Sequence, residues 1–294
     1  MENKNRQWLI IGIIASMLIW GISWPSAKIL SHYGKPIEIA FLRFIFSFIG
    51  VFVILKSIKI PLEIKKEGFL SLTLASILMA FYSMLFFSGI KHGMPGAGGV
   101  LVTTSTPIVT FVLGAIISRR KLGMKELLGL FLGLLAGTFL LRLWSNYQHI
   151  FESGNLFFLG STLVWAVLSR FTATSYKYGS ALAFSLWMYL LCIVWLAFFI
   201  DFKSIQHILV GGDRIFWFNM IFNAVINTGI ATTIFFYTTS KLGSEKTSSF
   251  IYIVPFAASI SSFLILKEVM HWNIIIGGLL GLVAVWIINK KKKE

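Results

Sequence analysis

Apolar runs of roughly twenty residues recur along this chain with only short polar gaps between them, and no other feature constrains the fold as much. A helix needs a run of about that length to cross the hydrocarbon core of a bilayer. Ten runs can be marked: Trp8–Leu30, Ile37–Leu55, Gly68–Ile90, Gly96–Ile117, Glu126–Leu143, Asn155–Tyr176, Ala181–Ile200, Ile215–Ser240, Thr247–Leu266 and Trp272–Asn289. They are continuous rather than alternating, which predicts helices and not a membrane β-barrel. With 57% of 294 residues hydrophobic and 13% charged, a soluble domain has no means of burying the excess. The gaps are too short to hold a soluble domain. The first run is too long for a signal-peptide core and lacks a small-x-small cleavage pattern, so it reads as a retained helix.

The net charge of +15 raises the question of nucleic acid, and its distribution answers no. The cations sit between the apolar runs instead of forming a stripe on a polar face. With the N-terminus inside, 17 of the 26 lysines and arginines fall on inner segments and seven on outer ones. That bias predicts an even number of spans and both termini in the cytoplasm. A bacterial-type inner (plasma) membrane is the expected location, with the lipid bilayer itself as one partner.

The chain also repeats itself. Trp20 and Trp165 stand 145 residues apart, and the same offset relates Ser16 to Ser161 and Tyr33-Gly34 to Tyr178-Gly179. Later in each half Pro107 pairs with Pro255, and Gly129 and Gly133 pair with Gly277 and Gly281, at an offset of 148. Five spans per half is an odd number, so the second half must enter the membrane upside down. The expected fold class is therefore an all-α integral membrane protein of ten transmembrane helices in two inverted five-helix repeats, residues 1–147 and 148–294. Such a plan belongs to carriers, in which two similar halves exchange conformations to open a site to alternate sides.

The densest polar and aromatic cluster lies on the first run. Trp20, Trp24 and Lys28 share one helix face at four-residue spacing, with Ser23 beside them, and Pro25 removes a backbone hydrogen bond nearby. Two rings leading to a cation make a wall for an organic anion or zwitterion; the bland alternative is an interfacial belt with a snorkelling lysine. Arg43 lies within the second run. An arginine at the centre of a bilayer costs about 2.5–3.5 kcal/mol on insertion scales, so it is read as a cavity cation or as a structural lock on backbone carbonyls. Arg170 sits nearer the inner surface and reads as a snorkelling cation. Asn219, Asn223 and Asn227 form a polar stripe on the eighth run that must face the bundle interior, to bind substrate or to join helices. The expected substrate-binding set is Trp20, Ser23, Trp24, Lys28, Arg43, Trp165, Asn223 and Asn227. The hydroxyls of Thr103 to Thr106 can bond back to their own helix and say little. The glycine ladders read as close-packing faces.

The carboxylates inform by position. All eleven Asp and Glu residues fall at the ends of runs or between them, which leaves no central acid for proton coupling. His92 stands at a run end. Cys192, the one cysteine, reads as a small buried hydrophobe. There is no phosphate-binding loop and no metal-ligand cluster, so neither cofactor nor catalytic residue is expected.

These residues resemble the drug/metabolite transporter superfamily, in its EamA-like branch. Trp20 through Lys28 is similar to that family's first-helix motif, Pro36 through Arg43 to its second-helix proline and arginine, and Pro255, Leu266-Lys267-Glu268 and Gly277 to its closing pattern. Arg120 stands where the first half should carry the counterpart of Glu268. The resemblance covers nearly the whole chain and implies a transporter, an exporter or exchanger of small organic metabolites such as amino acids or drug-like molecules, working by alternating access around a central cavity. The competing classes are a non-transporting membrane receptor or assembly protein, and an integral membrane enzyme; the latter would need a convergent set of acids or metal ligands that the sequence lacks.

Overall fold

The structure is a computed structural model that describes residues 3–92, 95–146, 153–266 and 272–290. Within these the chain is helical throughout, apart from turns and one isolated backbone bridge. The helices are α1 (Asn3–Leu30), α2 (Pro36–Ser57), α3 (Phe69–His92), α4 (Pro95–Ile117), α5 (Met124–Leu141), the short α6 (Leu143–Asn146), α7 (Ser153–Thr174), α8 (Ala181–Ala197), α9 (Phe202–Gly211) and α10 (Arg214–Ile221). A π-helix (Phe222–Thr232) follows, then α11 (Thr233–Leu242), α12 (Ser244–Ser249), a 3₁₀ turn (Phe250–Ile253), α13 (Val254–Leu266) and α14 (Trp272–Asn289).

The outside of the bundle is its apolar side. On α1, Trp8, Ile11, Leu18 and Ile22 are exposed while Ile13, Met17 and Ala27 are buried on the opposite stripe. On α14, Ile275, Leu279, Leu282 and Trp286 face outward, and the inner face is Asn273, Gly277, Gly281 and Ala284. Large apolar side chains outside and small or polar ones inside are the arrangement lipid permits and water does not. Eight helices, among the described residues, are long and apolar enough to cross a membrane.

Two of the ten expected spans take a different form. The run expected over Ala181–Ile200 stops at Ala197, and the chain bends by 115° into α9. The Asp201 carboxylate starts α9 by accepting the Lys203 N–H at 3.0 Å, so a stretch expected as a loop is a capped, amphipathic helix. The run expected from Thr247 is broken by the 3₁₀ turn before Pro255, a residue with no N–H to give to a continuous helix. By contrast α1 continues as helix through Pro25. Carboxylates explain several helix starts. Glu38 is 2% exposed and accepts the Lys35 N–H at 2.8 Å, Glu126 accepts that of Gly123 at 2.8 Å, and Asp213 accepts that of Phe216 at 2.8 Å.

Packing follows the sequence repeat. A Cβ on Gly277 would lie 2.9 Å from the Ala136 carbonyl oxygen and 2.6 Å from Leu140 Cγ. Gly129, 148 residues earlier, faces Ala284 and Ile288, which are 148 residues after Ala136 and Leu140. The contact between α5 and α14 is thus reciprocal and antiparallel. Other pairings match in the same way: α1 packs on α13 as α7 packs on α4, and α2 packs on the π-helix as α8 packs on α3. Small residues are what lets these backbones approach, since between lipid-embedded helices close contact replaces the hydrophobic drive.

Gly277→Leu should destabilise the protein by about 1–3 kcal/mol through overpacking, read as a lower melting temperature in detergent. Leu279→Ala, two residues on and on the opposite, exposed face, should leave that temperature nearly unchanged.

Candidate functional site

A central cavity holds about 570 Å³ of empty space, part of it open to solvent. It is built at the middle of the bundle by seven segments. α1 supplies Trp20, Ser23 and Trp24; α2 supplies Arg43; α3 supplies Met79, Tyr82 and Phe86; α4 supplies Val102, Thr103 and Thr106. Trp165 comes from α7, Asn227 and Thr232 from the π-helix, and Ile251 and Val254 from the start of the ninth run.

The lining pairs up along the repeat. Trp20 and Trp165 meet edge to face with ring centroids 5.2 Å apart. Two equivalent residues touch only near an axis that relates their halves. Tyr82 and Asn227 are 145 residues apart, and Thr103 and Thr106 precede Ile251 and Val254 by 148. The pairs are unlike in chemistry. The first half contributes the hydroxyls of Thr103 and Thr106 where the second contributes Ile251 and Val254, and the residue 145 after Arg43 is Met188, buried outside the lining.

The aromatic wall is continuous. Tyr82 lies 4.6 Å from Trp165 and stacks on Phe86 at 6.0 Å, and Phe86 meets Trp24 at 5.0 Å. Arg43 is 4% exposed. Its Nη2 donates to Ser83 Oγ at 2.6 Å, and its guanidinium lies 5.0 Å and 5.1 Å from the Phe44 and Phe87 ring centroids. The hydroxyl protons of the lining are spent locally: Ser23 donates to the Trp20 carbonyl at 2.7 Å, Thr103 to Gly99 at 2.7 Å and Thr106 to Val102 at 2.6 Å. Arg43 Nε, Trp165 Nε1 and Asn227 Oδ1 have no hydrogen-bond partner among the described residues.

Six of the eight expected residues therefore share one cavity, and two lie outside its lining. Lys28 turns away to donate to the Ile90 carbonyl at 3.0 Å, covering the C-terminus of α3. Asn223 donates to Ser26 Oγ at 2.6 Å, and Ser26 lies 3.5 Å from the Asn219 carbonyl, so this amide joins the π-helix to α1. The expected asparagine stripe is buried as predicted, at 6%, 1% and 8% exposure for Asn219, Asn223 and Asn227. Its backbone is a π-helix over much of its length, a form associated with functional sites. Sequence reasoning did not single out Tyr82, Met79 or Phe86, which sit among other aromatics on a run hydrophobic on all sides.

Polar contacts join the helices toward each end of the bundle. At one, reached by the C-termini of α4 and α7, Arg170 pairs with Glu245 at 3.3 Å rather than snorkelling as expected. Arg120 pairs with Glu126 at 2.7 Å and reaches Glu245 at 3.9 Å. The hydrogen bond to Glu126 is the leading cause that holds the Arg120 guanidinium above its ordinary value. Glu268 and its neighbour Lys267 lie outside the described residues. Nearby, the Tyr178 ring packs on Gly68, and the Lys65 N–H donates to the Tyr178 carbonyl at 2.8 Å. At the other end Tyr33 donates to Asp213 at 2.8 Å. Asp213 stands 145 residues after Gly68, as Tyr178 does after Tyr33, so the two Tyr-Gly loops grip equivalent helix starts at opposite ends.

An all-helical bundle with an apolar outer surface around an aromatic-lined cavity defines a polytopic membrane protein. Sequence comparison then supplies the family. The EamA-like transporter family matches residues 7–142 and 152–290, and the chain belongs to it: it is a multi-pass membrane transporter and not an enzyme. An uncharacterized transporter of Bacillus subtilis (strain 168), YoaV, is 26% identical over 275 residues, covering 92% of this chain and 93% of that one. A probable amino-acid metabolite efflux pump of Salmonella typhimurium is 30% identical over 151 residues, 51% of this chain and 48% of that one. A protein of known crystal structure superposes with a TM-score of 0.72 at 15% identity, over 96% of this chain and 97% of the other, a likeness of fold.

The Asp213 carboxyl is held below its ordinary value, first by the Phe216 N–H and then by the Tyr33 hydroxyl. A lowered folded-state value adds stability at neutral pH that is lost as pH falls through it. Asp213→Ala should therefore lower the melting temperature at pH 7, and the gap to wild type should close below about pH 4.

Proposed function

We propose that the protein is a secondary carrier of small organic metabolites in a bacterial-type inner membrane, with ten spans, both termini cytoplasmic, and two inverted five-helix halves that alternate around the central cavity. The single observation that carries this reading is the reciprocal packing of the two halves: Gly129 against Ala284 and Ile288, Gly277 against Ala136 and Leu140, together with the contact of the paired Trp20 and Trp165 in the cavity. Two halves related in this way can trade conformations, which moves the opening from one side to the other. The grips of Tyr33 on Asp213 and of Tyr178 on Gly68 supply matched closures for the two ends. The two stretches matched by one family agree with the halves. Ten spans follow when α8 with α9, and the broken segment Ser244–Leu266, are each counted with the eight long helices.

Small metabolites are the substrate class because the cavity is small and lined by aromatic side chains, and because one relative is named for amino-acid metabolite efflux. The lining holds neither carboxylate nor histidine, and the buried Glu38 is committed to the start of α2. A carrier without a titrating group at its centre runs on the substrate's own gradient.

Purified protein in liposomes should catalyse counterflow of at least one member of a panel of amino acids and organic acids. An imposed pH gradient at clamped voltage, without a substrate gradient, should drive no accumulation. Arg43→Ala should reduce flux at least about tenfold in protein that still folds and inserts; wild-type flux would leave Arg43 a structural residue. A cytoplasm-active reporter fused to the C-terminus should be active, and a periplasm-active one silent; the reverse removes the ten-span topology.

A further inference from the structure

The cavity carries one sign of charge. Arg43 is the charged residue of its lining, buried to 4% exposure. No carboxylate pairs with it among the described residues; their ion pairs lie at Glu38, Glu126 and Glu245. The ionisable groups that feel its charge are Tyr82, Tyr189 and Cys192, phenols and a thiol that are uncharged at neutral pH. Ser83 and two phenylalanine rings solvate one part of the guanidinium, and Nε is left without a partner. A buried cation of this kind is stabilised when an anion arrives, and a planar guanidinium fits a carboxylate's geometry.

We propose that the cavity selects organic monoanions, carboxylates with a flat apolar body, over zwitterions and cations. This rests on the reading of the cavity as the substrate site. The carboxylate sits on Arg43, with the body against the aromatic wall that Trp20, Trp24 and Trp165 contribute to. The lining discriminates by what it lacks as much as by what it offers. An α-ammonium group would enter a low-dielectric space that already holds a positive charge and find no carboxylate there, only the neutral oxygen of Asn227 and hydroxyl lone pairs. A cation would meet the same repulsion without any compensating contact. A dianion would leave its second charge unmatched. The hydroxyl protons of Ser23, Thr103 and Thr106 are already donated to backbone carbonyls. Among the described residues the cationic donor of the lining is therefore Arg43. The residue 145 after Arg43 is Met188, so the charge belongs to one half and the acid group has one orientation in the site.

The test is calorimetric titration of the full chain in nanodiscs at pH 7 with three probes that share one body: 3-phenylpropanoate, L-phenylalanine and 3-phenylpropylamine. Empty nanodiscs serve as the blank. The acid should bind at least about tenfold more tightly than the zwitterion, and the amine more weakly still. Arg43→Gln should weaken the acid at least about tenfold and leave the neutral 3-phenylpropanol unchanged; Arg43→Lys should restore part of the loss. Should Arg43→Gln fail to fold, the wild-type order of the three probes decides alone. Equal or tighter binding of L-phenylalanine or the amine overturns the proposal. So does acid binding that Arg43→Gln leaves untouched, or no acid binding at millimolar concentration. The carrier reading is judged separately by flux: a protein that moves zwitterions in liposomes but rejects acids refutes the charge assignment only, and acid binding without flux of any solute refutes the carrier only.

Discussion

In hydrocarbon there is no water to satisfy a polar group, so each one inside the bundle must find its partner in the protein. That constraint sorts nearly every polar residue in this chain. Glu38, Glu126, Asp201 and Asp213 accept backbone N–H groups at helix starts. Lys28 covers the carbonyl end of α3. Buried serines and threonines bond back to their own helices, as Ser16 does to Gly12 and Ser169 to Trp165. Once these commitments are made, three cavity-lining atoms stand out as uncommitted, on Arg43, Trp165 and Asn227. A site assembled from the remainder of such an allocation is a site positioned by structure, because everything around it is held in place.

Much of this was legible in the sequence, for identifiable reasons. Long apolar runs report spans directly. The embedded Arg43 and the aromatic face of α1 were conspicuous against a hydrophobic background, and the offset between Trp20 and Trp165 carried the repeat. What escaped was information that only the third dimension holds. Lys28 shares a helix face with Trp20 and Trp24, yet its long stem reaches across to α3, and no spacing rule reveals that. Arg170 reads as a snorkelling cation until Glu245, 75 residues on, is brought beside it. Tyr82 has no local signal, because an aromatic on a uniformly apolar helix reads alike in a cavity and in a core. The π-helix has no local signature in the sequence either; its Ala224 carbonyl accepts the Ser47 hydroxyl of α2 at 2.7 Å, a contact between residues 177 apart.

The two halves share geometry and differ in chemistry. The contacts that set the fold are equivalent: glycines on α5 and α14, tyrosines in the two Tyr-Gly loops, tryptophans between them. The side chains that face the cavity have diverged, so that the hydroxyls of Thr103 and Thr106 correspond to Ile251 and Val254. The ends have diverged as well. One is joined by a phenol on a carboxylate, the other by backbone pairing and a network of arginines and glutamates. The scaffold is thus symmetric where helices pack and asymmetric where they line the cavity.

The shortness of α8 reaches beyond the protein. Its 17 residues rise only about 26 Å, less than the roughly 30 Å of a typical hydrocarbon layer. The chain then turns sharply and presents Phe198, Phe199 and Phe202, each more than half exposed, where the missing length would have been. At 18 residues each, α5 and α14 rise hardly further, whereas α1 runs to 28. The apolar flank thus differs in height around the bundle, and acyl-chain length is a variable that bears first on its short-helix sides.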